Sequence, residues 1–113
     1  MASKIDWIVI IPDHDGALEK RMAARPEHLA GLAPRVESGA WTMGGATTAH
    51  PPIEGQQKPF NGSCIVAHAA TQDEVLAEIK KDIYATSGVW NLDKIIIQPL
   101  MTAFRKELAG AAW

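Results

Sequence analysis

At 113 residues, the chain has enough material for one good hydrophobic core and not for two. Hydrophobic residues at 47% and charged residues at 21% exclude a disordered chain, and the longest apolar run, Trp7 to Ile11, is too short to cross a bilayer. A net charge of −2 with 11 dispersed basic residues offers no stripe for a run of phosphates, which excludes nucleic acid as the expected partner.

Ile5 to Ile11 is β-branched and nearly continuous, the pattern of a strand buried on both faces. Pro12 and the Asp13-His14-Asp15-Gly16 cluster end it. Leu18 to Val36 carries helical spacing broken by Pro26, which has no N–H to donate and crowds the carbonyl of Met22; a kinked helix and two short ones both fit. His28, Leu32 and Val36 share one stripe of that segment, and Gly39 is a natural stop. Ala40 to Ala46 predicts a second strand, in which Gly44-Gly45 suits a bulge or a close approach. Thr47 to Asn61, with Pro51, Pro52 and Pro59, reads as a long hairpin loop. Ser63 to Ala69 is a third strand, with Cys64, Val66 and His68 on one face and Ile65, Ala67 and Ala69 on the other.

Thr71 to Glu74 forms a capping box, so a second helix starts near residue 72, with Val75, Leu76, Ile79 and Ile83 on its buried stripe. Ser87-Gly88 ends it. Asp93 to Pro99 predicts the fourth strand, again apolar on both faces at Ile95 to Ile97. Met101 to Leu108 fits either a short helix or an edge strand. The expected fold class is α+β: a ferredoxin-like β-α-β-β-α-β chain with a four-stranded antiparallel sheet and both helices on one face. It makes a single domain over residues 1–113, with a core at about 5–99 and a C-terminal tail from 100. The helices cover one sheet face only, while strands one and four are apolar on both. The expected cover for the second face is another copy of the chain, packed sheet to sheet as a homodimer, with a loop folded across the face as the competing arrangement. No secretory signal pattern is visible near residue 1, so the expected location is cytoplasmic.

Two side chains stand out chemically. His28 lies on an apolar stripe, where an imidazole can exchange a proton in a partly dry setting; the plainer reading is a core-edge histidine making one hydrogen bond. Asp82 continues the Val75/Ile79 stripe in what reads as the last helical turn, where the macrodipole opposes an anion. A carboxylate placed against polarity and dipole invites a functional explanation, the alternative being a solvated Asp at a frayed end. Cys64, the only cysteine, excludes an intramolecular disulfide and reads as a small core residue. Trp7, Trp41, Trp90, Phe60 and Tyr84 suit either a core or an aromatic pocket. His28, His50 and His68 lack the short ligand spacing of a metal site, so no metal is expected.

Arg25-Pro26-Glu27-His28-Leu29, Gly44-Gly45, Gly62-Ser63 and Asp82-Ile83-Tyr84, in this order, resemble the YCII-related family over about residues 5 to 99. That family commonly has a proline where this chain has Ile83. The resemblance implies a ferredoxin-like subunit of a dimeric α+β barrel, with His28 and Asp82 paired in a pocket and Arg25 as the matching basic residue. It also implies proton-transfer chemistry without a cofactor, since the family and its barrel relatives include dehydrochlorinases, muconolactone-type isomerases and cofactor-independent oxygenases. An aspartate on one imidazole nitrogen fixes the tautomer and strengthens the other nitrogen as a base. The expected function is therefore a cofactor-free lyase or isomerase acting on a small aromatic or polyketide-like enolisable substrate. His28, Asp82 and Arg25 are its expected catalytic residues, and Tyr84, Trp41, Gly44, His68 and Trp90 contact the substrate. A non-catalytic metabolite binder and a cofactor-independent oxygenase are the rival readings.

Overall fold

In the computed structural model, which describes residues 3–108, strand β1 (Ile5–Pro12) runs through the interior of a four-stranded sheet of order β2-β3-β1-β4. Strand β3 (Phe60–Ala69) lies antiparallel on one side of β1, with Val9 opposite Ile65, and β4 (Ile96–Leu100) on the other, with Val9 opposite Ile97. Strand β2 (Trp41–Thr48) forms the far edge against β3. Helix α1 (Leu18–Ser38) joins β1 to β2, and α2 (Gln72–Lys80), a four-residue helix α3 (Ile83–Thr86) and a 3₁₀ turn at Leu92–Lys94 join β3 to β4. The expected β-α-β-β-α-β order and antiparallel sheet are thus observed.

Period-two alternation along the strands divides the sheet. Trp7, Val9 and Ile11 of β1 and Ile65, Ala67 and Ala69 of β3 point toward the helices and pack with Val75 and Ile79 of α2, Tyr84, Val89 and Trp90. The indole of Trp7 donates to the carbonyl of Ala69 at 2.9 Å, so its polar edge costs nothing on burial. The opposite face carries Ile10, Met43 and Ile96, which are 38%, 48% and 45% exposed. Both faces of β1 are therefore apolar and one is covered.

Helix α1 is one continuous element of 21 residues that contains both Pro26 and Pro34. Both prolines lie on its exposed side, as do Met22 and Ala30, so the carbonyls they deprive of a partner can turn to water. The hairpin loop is shorter than its composition suggests, because β2 runs on to Thr48 and Ala49 N–H donates to the carbonyl of Pro59. Register irregularities fall at Trp41/Met43 and Thr47/Thr48, not at Gly44-Gly45. Close approach does occur at Gly62, where a Cβ would stand 2.7 Å from both the Ile11 carbonyl and Thr47 Oγ1. From Met101 to Leu108 the chain forms neither helix nor strand; the remainder of the tail lies outside the described residues. No described helix is long and apolar enough to cross a membrane.

Candidate active site

One line of helix α1 carries Arg21, His28 and Arg35, spaced seven residues apart. Seven residues advance a helix about 10.5 Å, two turns less about 20°, so the three side chains leave nearly the same face one above another. The segment from Asp82 to Thr86 lies along that line and fills the gaps between them: Asp82 joins His28 to Arg35, and Tyr84 enters between His28 and Arg21.

Asp82 is 2% exposed. Its backbone is extended (φ −70°, ψ 144°) between α2 and α3, and its Oδ1 accepts from the N–H of Tyr84 at 2.9 Å. It is therefore the N-cap of α3 and not the last turn of α2, which corrects the dipole argument made from sequence: Asp is a preferred capping residue, and the break in the helix turns the local backbone from repulsive to attractive for an anion. Ile83 takes the first helical position, the place where proline is favoured, and the turn forms without it. The same Oδ1 lies 2.8 Å from His28 Nδ1, and Oδ2 accepts from an Arg35 amino group at 2.9 Å. With the carboxylate as acceptor, Nδ1 is the protonated nitrogen of this hydrogen bond, and in a neutral imidazole the lone pair then lies on Nε2.

The imidazole of His28 stacks on Tyr84 at 3.9 Å between centroids and meets the edge of Trp90 at 5.9 Å. Arg21 Cζ stands 4.6 Å from the centroid of the same tyrosine ring. Two planar groups cannot share one ring face at these distances, so Tyr84 is held between imidazole and guanidinium. Arg21 itself is 4% exposed, bound to both oxygens of Asp13 at 2.9 Å and to Ser63 Oγ at 3.0 Å, and Ser63 also accepts from the Trp90 indole. Burial pushes the Tyr84 phenol above its ordinary value of 10.0 even though Arg21 and Arg25 pull it down, so the hydroxyl stays a neutral donor at any biological pH. No buried side-chain polar atom among the described residues lacks a partner. His28 Nε2, which has no partner among the described residues, therefore reaches solvent, its side chain being 12% exposed; the Tyr84 hydroxyl also has no partner among the described residues but belongs to a residue that is 1% exposed and meets solvent only marginally. Arg25, half-buried one turn before His28, has no ion-pair partner among the described residues.

Of the sequence candidates, the fold brings together His28, Asp82, Tyr84 and Trp90, with Arg25 near enough to Tyr84 to act on its phenol. Trp41 joins indirectly, as the platform 4.4 Å beneath the guanidinium of Arg35. Gly44 is exposed on β2 opposite Ile65. His68 does not belong to this site: it lies across the sheet, alternating with the buried Ala67 and Ala69, and pairs through Nδ1 with Asp6 at 2.9 Å. His50 binds the Pro51 carbonyl, so the three histidines do not converge. Arg21 and Arg35 were missed; their spacing of seven on either side of His28 is the signal that marks them. A cleft of about 300 Å³ is lined by His28, Gly31, Arg35, Asp82, Ile83 and Thr86 among others. A larger one, about 630 Å³ and bordered by Asp13, His14, Phe60, Asn91 and Lys94, lacks a comparable pair, since the Asp13 carboxylate is committed to Arg21. The His28–Asp82 pair borders the smaller.

A family model for the YCII-related domain matches residues 5–97. The chain is 37% identical over 100 residues to fusaric acid biosynthesis protein 2 of Gibberella fujikuroi, covering 88% of this chain and 96% of that one. It is 34% identical over 114 residues to aspartate kinase FUB3 of Fusarium oxysporum, spanning all of this chain but 21% of that relative's length. Among solved structures, 5-chloro-2-hydroxyhydroquinone dehydrochlorinase (TftG) of Burkholderia phenoliruptrix AC1100, in complex with 2,5-dihydroxybenzoquinone, superimposes with a TM-score of 0.73 at 22% identity, covering 86% of this chain and 94% of that chain. That likeness is one of fold.

Proposed function

The chain belongs to the YCII-related domain family, and from that premise we propose that it is a cofactor-free lyase or isomerase acting on a small enolisable molecule of aromatic or polyketide-like kind. The observation that carries the reading is His28, with Nδ1 on a buried carboxylate at 2.8 Å and Nε2 open to solvent. In this reaction Nε2 takes a proton from a carbon or hydroxyl of the substrate, and the electron pair released moves onto a ring or carbonyl oxygen. Asp82 holds the resulting imidazolium. Arg25 and the neutral Tyr84 hydroxyl stabilise the oxyanion. Collapse of that anion either expels a leaving group, with the proton left on His28, or takes the proton back at another carbon. The names of the fusaric acid protein and of the dehydrochlorinase support small-molecule conversion.

Deuterium incorporation from D₂O into a panel of hydroxyquinols and 1,3-dicarbonyl compounds, with chloride release from 5-chloro-2-hydroxyhydroquinone as the elimination arm, tests the proposal. His28→Ala should abolish whichever activity the wild-type protein shows while leaving a folded protein. Equal turnover in the variant would remove the claim, and oxygen uptake would move it to the oxygenase class. A binding role without catalysis gains support from Asp82 serving as the α3 cap; on that reading 2,5-dihydroxybenzoquinone binds and nothing turns over. We include a homodimer in the proposal, supported by the exposed Ile10, Met43 and Ile96 on the face away from the helices. Light scattering at the mass of one chain would contradict it.

A further inference from the structure

The three donors on Asp82 do different work. Tyr84 N–H and His28 Nδ1 both use Oδ1, and Arg35 alone takes Oδ2. An aspartate's terminal torsion is soft and nearly two-fold, so a carboxylate held at one oxygen can still rock out of the imidazole plane. Held at both, it cannot. Arg35 is well placed to do this, because its own position is fixed three ways: the guanidinium lies on the Trp41 indole at 4.4 Å, Nε stands 3.8 Å from Glu78, and an amino group reaches the Gly31 carbonyl at 3.5 Å. Its planar fork presents directed N–H groups that a lysine would lack.

We propose that Arg35 is a positioning residue of this site: by anchoring Asp82 Oδ2 it aims Oδ1 at His28 Nδ1–H and so keeps the lone pair of His28 on the solvent-facing Nε2. The inference rests on reading His28 as the base, but its central claim concerns a tautomer and can be examined without turnover. Arg35 makes no hydrogen bond to His28; it borders the same cleft, and the role assigned to it is exerted through Asp82, so a direct contact with substrate would appear as a change in KM.

The test is nitrogen-15 NMR of histidine-labelled protein, wild type against Arg35→Gln and Arg35→Lys, at a pH where His28 is neutral. Wild type should show His28 protonated on Nδ1. Arg35→Gln should show mixed tautomers, and Arg35→Lys, which keeps the charge and loses the fork, should fall between. In the exchange assay Arg35→Gln should lower kcat by about 10- to 100-fold, the usual cost of losing such a supporting partner. KM, and the Kd of 2,5-dihydroxybenzoquinone, should move less than about threefold. Unchanged His28 nitrogen resonances in the folded variants would overturn the proposal, whatever His28→Ala does to turnover. Should Arg35→Gln not fold, Arg35→Lys is read by the same criterion; failure of both to fold would assign Arg35 to stability and overturn it as well.

Discussion

The imidazole of His28 lies flat on the ring of Tyr84, 3.9 Å between centroids and 14° from parallel. The contact sets the tilt of the histidine as Asp82 sets its rotation. Tyr84→Phe keeps the ring and removes only a hydroxyl that has no partner among the described residues, so stability should change by less than about 1 kcal/mol while turnover drops about 10- to 100-fold. Tyr84→Leu loses the stack from a fully buried position and should cost about 2–4 kcal/mol. Thermal melts of the two variants beside the exchange assay separate these effects.

Arg21 and Asp13 form a buried pair, with side chains 4% and 5% exposed. Arg21→Met should destabilise by about 3–5 kcal/mol, because it leaves the Asp13 carboxylate buried without a counter-charge. Asp13→Asn added to Arg21→Met should recover much of that loss. Urea midpoints for the single and double variants decide it, and an additive double variant would mean the pair is not coupled.

At the other face of the sheet Asp6 accepts from Thr102 at 2.6 Å, from His68 at 2.9 Å and from Arg105 at 3.0 Å, tying the C-terminal segment to β1. The Thr102 hydrogen bond, then that of His68, holds the Asp6 carboxyl below its ordinary 3.8. A folded-state value below the unfolded one means that the unfolded chain binds the extra proton, so this stabilisation is present above about 3.8 and is lost as pH falls through the folded value. Asp13 has the opposite sign: burial raises it despite Arg21, so its contribution weakens as pH rises from 3.8 through the raised value. Melting temperature between pH 3 and 7 should therefore depend less on acid in Asp6→Asn than in wild type. The same variant should cleave faster after Arg105 in limited proteolysis.

Gly62 has no room for a side chain. A Cβ there would meet the Ile11 carbonyl and Thr47 Oγ1 at 2.7 Å, whereas one on Gly45 meets nothing within 4 Å. Gly62→Ala should cost about 1–3 kcal/mol, and Gly45→Ala should stay within about 0.5 kcal/mol. Similar losses at both would show that strand flexibility, and not contact, governs the two positions.

Periodicity and local chemistry determined the strands, the N-cap at Thr71 and the two apolar faces of β1, because each of these is written within one element or in a few residues; the pair of His28 with Asp82, 54 residues apart, was implied by the family resemblance alone. Even so, alternation alone could not say on which face His68 would matter; its partner Asp6 is 62 residues away, and only the β1–β3 register puts them side by side. The place of Asp82 was decided by tertiary structure too. At the break between α2 and α3 its side chain meets the Tyr84 N–H, His28 and Arg35, partners that lie in other turns and in another element. Arg21 and Arg35 look like ordinary surface cations in sequence. They become part of the site because the Asp82–Thr86 segment docks along α1 and supplies, 47 residues beyond Arg35, the carboxylate that makes its burial tolerable.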